Sequence, residues 1–220
     1  MLFPVRVTQR SYSKPVVTAL LIAVNAAAFL HQLLLDPFSL NHFIATYSLM
    51  PYALQPLNLV THMFLHAGWI HLIGNMLFLW VFGENVEDIF GHGKFLAFYL
   101  LCGVLAACAQ VAADPFSRTP MVGASGAIAG VMGAYLMKFP RSRVEMIFFA
   151  ILFFHFTVPA WFMLAYWFLL QLLGSYGSVA GASQGGTAFF AHVGGFLAGI
   201  VLVRLMGARQ RFSRRRDLYW

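Results

Sequence analysis

This sequence has little charge: 7 acidic and 14 basic side chains in 220 residues, 10% charged against 60% hydrophobic. A soluble domain carries roughly 25% charged residues, so a water-exposed globule is excluded and the chain belongs in a bilayer. Cysteine is scarcer still, with two residues. Cys102 and Cys108 stand six residues apart inside one apolar run, which gives neither a disulfide framework nor a metal-ligand spacing. There is no internal repeat and no His-Glu-x-x-His. No Asp, Glu, Lys or Arg occurs from Pro37 to Gly68, which suits a segment half sunk in the outer leaflet rather than a solvated loop.

Apolar runs are what the chain has in quantity. A membrane span needs about 20 apolar residues, and Val16–Leu35, Ile70–Phe82, Phe95–Ala113, Pro120–Phe139, Met146–Leu173 and Ala188–Met206 read as six such helices. The fold class expected is therefore an all-α polytopic bundle. The second run continues through Gly83–Phe90, and the fifth is over-long and divided by Pro159, so Val144–Val158 is expected to lie partly along the interface. Val16–Ala28 follows basic residues as a signal peptide would, but the run outlasts a typical signal core and is taken as a span. The chain divides into an N-terminal segment 1–15, a membrane domain 16–206 and a basic tail 207–220.

Basic residues orient the spans, because Lys and Arg collect in cytoplasmic loops. Six spans place Arg6, Arg10, Lys14, Lys94, Lys138, Arg141, Arg143 and the tail on one side, with Arg118 alone opposite. Both termini are then cytoplasmic. The tail "RQRFSRRRD" beside a span is a lipid-headgroup anchor, and no nucleic-acid partner is expected.

Counted from those charges at about 1.5 Å per residue, polar groups on three helices reach a similar depth. Ser125 lies 13 positions from Lys138, His192 12 from Arg204, His71 13 from Glu84 and Asn75 12 from Glu87. Strongly polar residues at such depth face a bundle interior or a water-filled cavity and count as functional candidates. Gly126, Gly130 and Gly133 on the fourth span, and Ala191, Gly195 and Gly199 on the sixth, form small-residue ridges that let two backbones approach.

A serine hydroxyl is a weak nucleophile until a base takes its proton, and a neutral imidazole does this near pH 7. His192 is the candidate base. No carboxylate lies at its depth, which argues for a dyad instead of a triad. Gly123 and Gly126 flank Ser125 and leave room for a sharp turn into the helix, whose free N–H groups favour an oxyanion. The Asn75 amide and a His71 ring nitrogen can supply further donors.

"HAGWIHLIGNM" from His66 to Met76, "GASG" from Gly123 to Gly126 and "AHVGG" from Ala191 to Gly195, in this order on these spans, resemble the rhomboid family of intramembrane serine proteases. The resemblance implies a six-helix bundle with a half-embedded first external loop. It implies Ser125 as nucleophile, His192 as base, and His71 and Asn75 in the oxyanion hole. "ENVEDIFG" is similar to the family's Glu-x-x-x-Gly segment, with Glu87 and Gly91 structural. The implied substrates are membrane proteins with a transmembrane helix, cleaved in a bilayer, here a bacterial inner membrane, without metal or cofactor; the oligomeric state is left open.

Two positions depart from the family pattern. Leu57-Asn58 stands where many bacterial members carry Trp-Arg, and Ala129 where many place an aromatic ring against the histidine.

His66 is expected to pack or hydrogen-bond rather than catalyse. Two rival readings are a haem or metal protein ligated by His62, His66, His71 and His192, which gives Ser125 no task, and a non-catalytic relative, which typically lacks the serine or histidine. The stretch Gly174–Thr187 reads equally as an ordinary surface loop or as a mobile cap, the cap implying substrate entry between the second and fifth spans.

Overall fold

The computed structural model describes residues 2–149, 153–179 and 188–208. Eight helices dominate it: α1 (Val16–Leu34), α2 (Pro37–Tyr47), α3 (Asn58–Thr61), α4 (Trp69–Phe90), α5 (His92–Ala113), α6 (Ser125–Lys138), α7 (Ala160–Val179) and α8 (Phe189–Leu205). The uncharged stretch after α1 is mostly helical. Asp36 caps α2, its Oδ1 accepting from the Phe38 and Ser39 N–H groups at 3.0 and 3.2 Å, and Pro37 occupies the first helical position, where no N–H is needed. No side chain of α2 is buried, and Phe38 is 83% exposed. An uncharged helix with an outward Phe fits the outer leaflet.

By length and composition α1 and α5 can each cross a membrane, and a third crossing counts Asn58–Phe64 with α4, two pieces bent by 100°. The membrane character of the expected bundle is thus supported, while these two or three candidates among the described residues fall short of six. Helix α6 has 14 residues, about 21 Å, less than a hydrocarbon core of about 30 Å, and α8 has 17.

Two further expectations are corrected. The fold is not all-α: β1 (Leu2–Val7), β2 (Arg143–Phe149) and β3 (Phe153–Pro159) make an antiparallel sheet in the order β1-β2-β3. The fifth apolar run begins at Met146, with Val144–Val158 expected to lie partly along the interface; this stretch forms strands, and residues 143–147 alternate with period two. Val144 and Met146 are buried, while Arg143 is exposed and Glu145 and Ile147 are half-buried. An open sheet leaves edge amides unpaired, so it lies outside the hydrocarbon. Helix α7 starts only after Pro159 and runs to Val179, so Gly174–Val179, the first part of the expected loop or cap, is helical; residues 180–187 lie outside the described residues.

Glycine decides how closely α5, α6 and α8 pack. A Cβ on Gly199 would collide with the Gly130 carbonyl oxygen, one on Gly195 with that of Gly126, and one on Gly133 with that of Phe196. The α6 and α8 backbones therefore touch directly, as small-residue ridges permit. Beside them Phe82, Phe95, Phe98, Tyr99, Tyr135 and Phe139 form a fully buried aromatic core.

Glu87 and Gly91 lie at the sheet end, away from the polar cavity. Helix α1 has Pro15 before it and no cap of its own. Buried Glu87 supplies one, accepting from the Val17 and Thr18 N–H groups at 2.8 Å each, from the Thr18 hydroxyl at 2.7 Å and from His92 Nδ1. Gly91 breaks α4 from α5 at φ 75°, a conformation that glycine adopts without steric cost.

Candidate active site

The depth count put Ser125 and His192 level on different helices, and the α6–α8 contact brings them together: His192 Nε2 lies 2.7 Å from Ser125 Oγ. Ser125 is the first residue of α6 and has no side-chain cap before it. The Ser125, Gly126 and Ala127 N–H groups precede the first intrahelical bond, from the Ile128 N–H to the Ala124 carbonyl at 3.0 Å, and point toward the serine end. Across α5, Gln110 Oε1 accepts from the Ala191 N–H at 3.3 Å and fastens the start of α8, one residue before His192.

His71 and Asn75 approach from α4. Both stand beside Gly123, where a Cβ would lie 2.7 Å from His71 Nε2 and 3.5 Å from Asn75 Nδ2. Gly123 also has φ +117°, so glycine is required there on both counts. The Gly123 N–H donates to the His62 carbonyl at 2.8 Å, so it does not face the serine. His71 Nδ1 accepts from the Ala67 N–H at 3.4 Å, which leaves Nε2 carrying the hydrogen, next to Gly123. Asn75 Nδ2 donates to His66 Nε2 at 3.0 Å, which fixes the amide's orientation. His66 is itself held by Gln32 of α1, which accepts from its N–H at 3.0 Å and donates to its carbonyl at 3.2 Å. His66 is thus a hydrogen-bonding residue behind Asn75.

Ser125, His192, His71 and Asn75 border a cavity of about 530 Å³, with Phe78 and Trp167 among its apolar lining. Gly126 lies along the same wall, and a Cβ there would press on Ala106. Ala129 is buried, and no ring of α6 reaches His192. The aromatic neighbour comes from α7, where Trp167 sits 5.9 Å away, centroid to centroid, tilted by 39°. Gln171, one turn further along α7, places Oε1 2.8 Å from His192 Nδ1. Neither α7 residue was singled out in the sequence, although a glutamine within an apolar span is the kind of signal that marked His71 and Asn75.

The four histidines proposed as metal ligands each commit ring nitrogens to the protein: His62 Nδ1 donates to the Asn58 carbonyl at 2.7 Å, and the other three are bonded as above. Among the described residues no three His, Cys, Asp or Glu side chains form a metal-binding group. The site is a neutral constellation of a hydroxyl, imidazoles and amides in a cavity, suited to acyl transfer.

The Rhomboid domain family model matches residues 53–209, and the chain belongs to the rhomboid family. Over 78 residues it is 45% identical to the rhomboid protease GluP of Bacillus subtilis, covering 36% of this chain and 15% of that protein. It is 28% identical over 165 residues to the mitochondrial rhomboid protein 1 of Saccharomyces cerevisiae, covering 72% and 45%. It is 30% identical over 143 residues to rhomboid-like protease 5 of Toxoplasma gondii, covering 63% and 15%. The chain spans less than half the length of these relatives. Family and apolar helices together make it an integral membrane protein. With bacterial and mitochondrial relatives alike, the comparisons do not carry the expected bacterial inner membrane.

Proposed function

We propose that this chain is an intramembrane serine endopeptidase that cleaves membrane proteins within or beside a transmembrane helix. The observation that carries this reading is the 2.7 Å contact between Ser125 Oγ and His192 Nε2 inside a polar cavity. His192 takes the hydroxyl proton as Oγ attacks the scissile carbonyl. The carbonyl oxygen becomes an oxyanion, which the His71 Nε2–H, the Asn75 amide and the first-turn N–H groups of α6 stabilise. His192 returns its proton to the leaving amine, and water admitted through the cavity repeats the sequence on the acyl-enzyme.

In this reading the six longer helices cross the membrane, α6 stopping short of one face so that Ser125 sits at the floor of the opening. Lys and Arg put both termini on the cytoplasmic side. Substrate enters between α4 and α7, the elements that bring Phe78 and Trp167 to the cavity.

The test is cleavage of a single-span substrate in liposomes by wild type, Ser125→Ala and His192→Ala. Each variant is expected to lose turnover entirely, and their combination to be no worse than either alone, because nucleophile and base act as a unit. A fluorophosphonate should label wild type and not Ser125→Ala. Turnover persisting in Ser125→Ala, or a wild type that neither cleaves nor labels, overturns the proposal.

A further inference from the structure

Two polar side chains bond to the His192 ring, and a serine–histidine dyad uses only one of them. The other is Gln171 on α7, whose Oε1 lies 2.8 Å from Nδ1. Its amide is oriented from behind, because Nε2 donates to the Trp167 carbonyl one turn back at 3.5 Å. An amide oxygen has no hydrogen to give, so Nδ1 carries it, and the neutral ring keeps its lone pair on Nε2, toward Ser125. Turned over, the same amide would donate to Nδ1 and force the hydrogen onto Nε2. Ser125 would then face a donor, and the ring could not accept its proton.

We infer that Gln171 is a positioning residue that selects the base-competent tautomer of His192 and, with Trp167 beside the ring, holds it from α7. The inference rests on the dyad reading above. It also answers what steadies the histidine when α6 offers only Ala129. Helix α7 leans on α8 through Phe168 and Phe196, stacked at 4.7 Å, so the seating of α7 sets the state of the base.

Loss of turnover in Ser125→Ala, measured alongside, establishes the dyad independently of Gln171. Gln171→Leu keeps similar volume and removes the acceptor. It is expected to lower kcat about tenfold to a hundredfold with KM and unfolding midpoint unchanged, a smaller loss than the roughly 10⁴ seen when a buried carboxylate holding a catalytic histidine is replaced. Gln171→Glu restores an acceptor and is expected to recover most of the lost kcat. Wild-type kcat in Gln171→Leu, or a loss in folded protein that Gln171→Glu does not recover, overturns the role. Should Gln171→Leu fail to fold, ¹⁵N NMR of histidine-labelled wild type decides: His192 protonated at Nδ1 supports the inference, and His192 protonated at Nε2 overturns it.

Discussion

At the sheet end of the bundle α1 and α4 are joined through carboxylates, whereas at the Ser125 end the corresponding joints are amides. Glu87 and Asp88 serve the first: Glu87 caps α1, and Asp88 Oδ1 accepts from the Ser13 N–H at 2.9 Å and the Ser13 hydroxyl at 2.6 Å. Gln32, Gln110 and Gln171 serve the second, tying His66, Ala191 and His192 to neighbouring helices. The sign of nearby charge explains the division. A helix N-terminus welcomes a buried anion, whereas at the Ser125 end a neutral amide oxygen already meets the His192 ring and no charge is needed there. Amides brace the site without adding charge to it.

This contrast predicts a separation of effects. The largest belong to the site end. Either His71→Ala or Asn75→Ala should cost about 10²–10³ in kcat, as removal of one oxyanion donor does elsewhere, with fluorophosphonate labelling of Ser125 partly retained and the unfolding midpoint unchanged. Unchanged turnover in the double variant would remove both from the site and erase the contrast. Next comes Glu87→Ala, which strips α1 of its cap and should lower stability by about 2–3 kcal/mol in denaturant titration, leaving kcat per folded molecule intact. A fall in kcat at full folding would mean that the two ends are coupled. Smallest is Ser13→Ala, which removes one hydroxyl from Asp88 but keeps the backbone contact and should cost about 1 kcal/mol. A loss as large as that of Glu87→Ala would show that Asp88, not Glu87, carries this end.

Hydropathy located all six of the longer helices, since outward residues such as Leu20, Leu101 and Leu197 are as apolar as the core. It carried the fifth run back to Met146 and set Val144–Val158 apart as interfacial without reading it as sheet, because a run of Val, Ile and Phe satisfies a span and a buried strand alike. The alternation Arg143, Val144, Glu145, Met146 held the answer locally, but the pairing partner, β1, lies some 140 residues away. In the candidate site, Ser125, His192, His71 and Asn75 stood out as polar residues in apolar runs at a similar counted depth, and the structure brings them to one cavity. Gln171 interrupts one too, yet its task shows only when α7 lies against α8, a packing that helical periodicity does not encode.

Glu87 is 70 positions downstream of the N–H group on Val17 that it accepts from. During synthesis α1 therefore leaves the ribosome with its leading amides bare, to be satisfied by water or headgroups until α4 arrives. Helix α1 is thus finished only once α4 has been made, and a chain interrupted before residue 87 leaves that helix end without its carboxylate.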